Sequence, residues 1–143
     1  MKVKAILFVS IVLFLASCNK YPDGPSLSLR SKTVRLSNVW KIDRYYENGE
    51  DKTSDANNIL NSYLLSIDQS GSYSLMYKVF GLFAVNESGT WTFDANKEGV
   101  IFTRTSPAPV VTSEWTLLRL KEKELWAQYN DSSKVVKVQL IPY

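Results

Sequence analysis

Glu114-Trp115-Thr116-Leu117-Leu118-Arg119-Leu120-Lys121-Glu122-Lys123-Glu124-Leu125-Trp126-Ala127-Gln128-Tyr129-Asn130 is two alternating runs on either side of a charged link. Trp115 and Leu117 share one parity of the first run, and Leu125, Ala127 and Tyr129 share one parity of the second. Successive side chains of a strand point to opposite faces, so each run reads as a strand with one apolar face. The link Lys121-Glu122-Lys123 is of hairpin length, which makes the pair antiparallel.

The same period of two extends in both directions, from Val39 almost to the C-terminus. The predicted strands are Val39–Glu47, Tyr63–Asp68, Tyr73–Phe80, Ser88–Asp94, Val100–Thr105, Glu114–Leu120, Leu125–Asn130 and Lys134–Ile141. Turn-forming residues separate them: Asn48-Gly49, Ser70-Gly71, Asp94-Ala95-Asn96, Pro107-Ala108-Pro109 and Asp131-Ser132-Ser133. The one long gap, Gly49 to Ser62, is acidic and amide-rich, with room for a helical turn around Ala56 to Leu60. Arg30 to Leu36 is a further short helix candidate.

Parity assigns the faces. Trp40, Ile42, Arg44 and Tyr46 fall on one side of the first strand, and Tyr73, Leu75, Tyr77 and Val79 on one side of the third. Leu65 with Ile67, Trp91 with Phe93, and Val136, Val138 with Leu140 complete the inward set, whereas the consecutive Val100, Ile101 and Phe102 leave the fifth strand undecided. Many short strands, hairpin-length links and no helix able to cover a sheet leave a sandwich or a barrel. Closure removes exposed edges and sequential hairpins achieve it without long crossovers. The predicted fold is therefore all-β, an eight-stranded antiparallel up-and-down β-barrel over residues 38–143.

The N-terminus tells a different story. Lys2 and Lys4 precede an apolar run from Ala5 to Ala16, and Leu15-Ala16-Ser17-Cys18 brings small residues up to the only cysteine of the chain. The run is too short to cross a hydrocarbon core of roughly 30 Å as a permanent helix, and its layout is that of a cleaved signal peptide. A lone cysteine has no partner for an internal disulfide and no second thiol for a soft metal site, which leaves lipid attachment as its natural use. The pattern resembles the lipobox of bacterial lipoproteins. That resemblance implies a signal peptide over 1–17, acyl chains on Cys18, and a cell-envelope location, at the outer membrane with the domain in the periplasm or at the surface. Residues 18–37 then read as the lipidated cysteine, a Pro- and Ser-bearing tether and the short helix.

Loss of residues 1–17 would remove two of the 17 basic residues and none of the 14 acids, which leaves a net charge of +1. A near-neutral body with scattered lysines and arginines offers no basis for a nucleic-acid partner. There is no histidine in the chain, so the commonest general base and the commonest transition-metal ligand are both missing. No nucleophile elbow, phosphate-cradling loop or calcium loop appears. Asp51, Asp55, Asn57 and Asn58 are close in sequence, but they lack the glycine and distal glutamate of a calcium site. No catalytic residue, metal or cofactor is expected.

With the strands placed, Asn38-Val39-Trp40, Gly89-Thr90-Trp91-Thr92-Phe93, and Trp115 to Leu120 followed by Leu125-Trp126-Ala127 resemble the lipocalin-like domains of bacterial envelope lipoproteins. The resemblance implies a barrel closed at one end by the first-strand tryptophan and open at the other, where a small apolar or amphipathic ligand is held. Asn38 stands where lipocalins carry the glycine of Gly-x-Trp, and no arginine near Leu140 matches the one that packs on that tryptophan.

Candidate ligand-binding residues follow from parity. Tyr46, Tyr73, Tyr77, Trp91, Trp115 and Tyr129 line a pocket or else fill the barrel shut, since an eight-stranded barrel is just wide enough for its own side chains. Arg44, the one inward cation, is either a hook for a ligand carboxylate or the partner of a structural acid. Phe80, Leu82, Phe83 and Val85 form either a lid over the mouth or an exposed patch for contact with a membrane or another envelope protein. A filled barrel acting as a binding module for an envelope protein is the alternative to a ligand carrier.

Overall fold

The computed structural model describes residues 30–143. The predicted signal peptide, Cys18 and the tether to residue 29 lie outside the described residues. A short helix, α1 (Lys32–Leu36), leads into strand β1 (Val39–Glu47), and a two-residue strand β2 (Glu50–Asp51) and helix α2 (Thr53–Ile59) follow. Then come β3 (Leu60–Ile67), β4 (Ser72–Val79), β5 (Phe83–Phe93), β6 (Gly99–Ser106), β7 (Val111–Lys121), β8 (Glu124–Asp131) and β9 (Lys134–Pro142).

Each strand from β3 onward pairs antiparallel with the next, β1 pairs with β3, and β9 returns to β1, so that eight strands close into a barrel with β2 as a flap. The closing seam runs from Trp40↔Pro142 to Glu47↔Val136. At its far end Lys134 donates to Glu47 at 2.7 Å, and Asn48 both donates its N–H to Val135 and accepts Val135 N–H on its side chain. The sandwich is thereby excluded.

One end is sealed. α1 starts on the side-chain cap of Ser31, which accepts the Val34 N–H at 3.2 Å, and it drives Leu36 into the barrel. Trp40 and Leu36 are both 0% exposed, and the Trp40 indole N–H donates to the Leu36 carbonyl at 2.8 Å. Leu120, Leu125 and Leu140 pack around them. Arg35, buried from the helix side, donates to the Leu120 carbonyl at 2.8 Å. The guanidinium absent from the vicinity of Leu140 is thus supplied at this end from before the first strand.

Of four register slips in the barrel, those in β1 and β7 decide which way Arg44 and Arg119 face. Between Ile42 and Arg44 the β1–β9 register slips by one residue, so parity counted from Trp40 fails beyond Ile42. A second slip between Leu117 and Arg119 turns Arg119 outward over the Trp126 ring, 4.7 Å from its centroid, and sends Leu120 into the core. The undecided strand β6 resolves with Val100 and Phe102 inward. The Phe80–Val85 segment is a hairpin tip: Phe80, Leu82 and Phe83 are exposed, Leu82 at 79%, rather than folded over the mouth as a lid.

Candidate functional site

The β4–β5, β6–β7 and β8–β9 links and helix α2 surround the end opposite Trp40. Just inside it lies a cavity of about 300 Å³. Its walls carry Tyr45, Tyr63, Tyr73, Tyr77 and Tyr129, together with Trp115, Phe102, Leu60, Leu65, Leu75, Ser113, Glu87 and Asp131. The rings contact one another in two sets. Tyr73 meets Phe102 edge-on at 5.0 Å, Phe102 meets Trp115 at 5.2 Å, and Trp115 stacks on Tyr129 at 4.8 Å; Tyr63 and Tyr77 stack at 6.4 Å. Such arrays add specific geometry to burial. The Trp115 indole N–H is satisfied by Ser113 Oγ at 3.1 Å, so the ring is fixed in place.

Polarity comes from two sources. The first is the phenols. Burial pushes the Tyr63 and Tyr129 hydroxyls well above the ordinary tyrosine range, and burial followed by the Glu87 charge raises Tyr73 and Tyr77. All of these stay protonated as hydrogen-bond donors at any physiological pH. The second source is the ion pair Glu87–Arg104, whose Oε1–Nη1 distance is 3.1 Å. Arg104 spends a further nitrogen on the Pro109 carbonyl at 3.3 Å, and its Nε is buried without a partner. The pair is held where β5 and β6 approach closely: a Cβ on Gly89 would stand 1.9 Å from the Thr103 carbonyl oxygen, so that position takes glycine.

A second hollow of about 480 Å³ adjoins the first, sharing Tyr45 and Leu60 with it. α2 forms one wall through Asp55, Ala56, Asn58 and Ile59, and Phe80, Glu47 and Lys134 complete it. Helix α2 is tied to β1 by the Lys52 N–H to the Tyr45 carbonyl at 2.8 Å and by the Tyr45 N–H to Thr53 Oγ1 at 3.0 Å. The Gly49–Ser62 segment therefore crosses beside the opening, as its length suggests.

Of the sequence-predicted residues, Tyr73, Tyr77, Trp115 and Tyr129 come together on the cavity wall. Three do not. Arg44 is on the outer face, its side chain 55% exposed and paired with Asp51 at 3.3 Å, because the bulge after Ile42 reverses parity. Tyr46 is turned outward for the same reason, with the Lys137 ammonium 5.8 Å from its ring. Trp91 is inside but at the sealed end, where its indole N–H donates to the Asp68 carbonyl at 2.8 Å. The strand bearing it begins at Phe83, five residues before the predicted Ser88, so Trp91 lies far from the mouth.

Tyr45, Tyr63 and Glu87 are among the cavity residues that parity did not supply, with Leu60, Ser113 and Asp131. Extending the Leu65–Ile67 and Trp91–Phe93 parities toward the mouth reaches Tyr63 and Glu87, so those two were within reach of the pattern. Tyr45 was not, since nothing local in Asp43-Arg44 marks a bulge.

No protein family model and no curated protein matches the chain. Solved structures do. A lipocalin-like protein from Bacteroides uniformis ATCC 8492 superposes with a TM-score of 0.55 at 11% identity, over 76% of this chain and 99% of that one. The fold is lipocalin-like. An uncharacterized protein from Bacteroides eggerthii DSM 20697 matches the same lipocalin-like barrel with a TM-score of 0.53 at 11% identity, over 75% of this chain and 98% of its own. At such identity the likeness is one of architecture, and the aromatic cavity is described from this chain's own residues.

Proposed function

We propose that the barrel binds a small apolar or amphipathic ligand at its open end, as a carrier or sensor and not an enzyme, on a lipoprotein held in the cell envelope by acyl chains on Cys18. The observation that carries the binding reading is the void itself: about 300 Å³ bounded by tyrosines and Trp115 in a barrel narrow enough to pack shut. Phenol groups around an apolar floor suit a ligand with a hydrophobic body and a few polar atoms. Native mass spectrometry of the protein purified from its own host tests this reading, the expected result being an added small-molecule mass that Tyr73→Trp or Tyr77→Trp removes by filling the void. A protein that carries no ligand and takes up no apolar probe would refute it.

The anchor has its own test. Cys18→Ala is expected to release the protein from the membrane fraction, and the parent's N-terminal peptide is expected to carry lipid mass. A second reading, a module for docking an envelope protein, is favoured by the exposed Phe80, Leu82, Phe83 and Val110 on the hairpin tips around the mouth. Cross-linking from residue 82 in intact cells separates it from the carrier reading, because a pure carrier gives no discrete protein adduct.

A further inference from the structure

We propose that the ligand of the cavity is a small organic cation, an amine with an aromatic or alkyl body. This inference rests on the carrier reading and narrows it. The cavity wall includes two carboxylate side chains, Glu87 and Asp131, and no lysine or arginine. Two cations stand just outside this wall: Arg104, whose nitrogens go to Glu87 Oε1 and the Pro109 carbonyl, and Lys134, the register partner of Asp131, whose ammonium donates to Glu47. Over the cavity and the hollow beside it, Glu47, Asp55, Glu87 and Asp131 face Lys52, Lys134 and Arg104, so the open end carries one more acid than base. Taken alone, the adjoining hollow is balanced, with Glu47 and Asp55 against Lys52 and Lys134.

The rest of the wall suits the same head group. A cation over the faces of Tyr and Trp rings is attracted by their quadrupoles, more strongly where water is excluded. Neutral phenols accept hydrogen bonds from an ammonium without repelling it. An anionic head group would meet the reverse: two carboxylates, the electron-rich ring faces, and an arginine already engaged. A bound ammonium would add a second positive partner to Glu87 beside Arg104. Of the two roles open to Arg44, the structure shows the partner of a structural acid, Asp51, and the bulge in β1 puts Tyr45 in the cavity wall in its place.

Three probes with one body and different heads test the sign: 2-phenylethylamine, 2-phenylethanol and phenylacetate, titrated into the full-length protein and followed by the NMR shifts of the cavity rings. The amine is expected to bind at least about tenfold more tightly than either other probe, the scale of a charge-assisted hydrogen bond. Glu87→Gln is expected to abolish most of that preference, and Asp131→Asn, at the rim, to reduce it by a smaller factor. Should Glu87→Gln fail to fold, the comparison of the three probes on the parent protein decides the matter alone. Equal binding of all three at the cavity rings would overturn the amine inference and leave the carrier reading standing. Preference for phenylacetate would overturn it in favour of recognition by Arg104. Binding of none would overturn both.

Discussion

The two ends of the barrel are built from the same alternating strands and come out as opposites. At the sealed end, Leu36, Trp40, Leu120, Leu125 and Leu140 are each at most 1% exposed, the Trp40 indole and one Arg35 guanidinium nitrogen donate to backbone carbonyls, and Arg35 Nε is buried without a partner. At the open end, large rings stand around a void, with tyrosines and Glu87, ion-paired to Arg104, in its wall. Leucine packs in well-defined rotamers and closes space, whereas planar rings held by one another's faces and edges bridge a gap without filling it. Close packing is concentrated at one end and ring-lined open space at the other.

That contrast is sharpest under mutation. Trp40→Ala is expected to cost about 3–5 kcal/mol in urea unfolding, through loss of the buried ring and of the indole link that holds α1 in place. A cost below about 1 kcal/mol would show that the sealed end is not the stabilising one. Gly89→Ala acts in the wall of the open half, where the added carbon meets the backbone of β6. The expected cost is about 1–3 kcal/mol as the strands are forced apart, together with disturbed ring shifts at Tyr73 and Phe102.

A third expectation separates the ends by pH. The tyrosines of the open end have folded-state values raised by burial, so the unfolded chain loses its phenol protons first as the solution becomes alkaline. Their contribution to stability is complete below the ordinary tyrosine value near 10 and falls as pH climbs beyond it toward the folded values, with a slope of about 1.4 kcal/mol per pH unit for each such tyrosine. Tyr63→Phe and Tyr129→Phe should each flatten that slope in urea unfolding between pH 10 and 11. An unchanged slope would mean that these hydroxyls are not sequestered in the fold. The smallest effect belongs to Arg44→Ala, which should leave both the unfolding midpoint and binding of the phenyl probes unchanged, since the side chain sits outside the barrel in an exposed pair.

The same division explains what could be read from the sequence. Alternation, turn residues and link lengths are local, and they located all eight barrel strands and four of the cavity rings, while Trp40 as the plug came from the lipocalin-like resemblance. Strand ends were less legible: β5 starts at Phe83 because hairpin pairing with β4 continues through Val79↔Phe83, a partnership across chain segments rather than a local signal. The bulges were not legible at all. A bulge depends on what the neighbouring strand offers in register, and the one after Ile42 moved Arg44 and Tyr46 out and Tyr45 in.

The first and last strands meet along the closing seam, and the ends of the barrel meet with them. The Tyr143 N–H donates to the Val39 carbonyl at 2.9 Å, with α1 entering alongside, so both ends of the described chain leave from the sealed side. This makes the molecule a cup held by its base. A lipid anchor on Cys18 would stand the base toward the bilayer and aim the rim into the aqueous compartment, where Leu82 and Phe83 would be the first residues to touch whatever approaches the open end. A reporter fused after Tyr143 would ride beside the membrane and leave that encounter unobstructed.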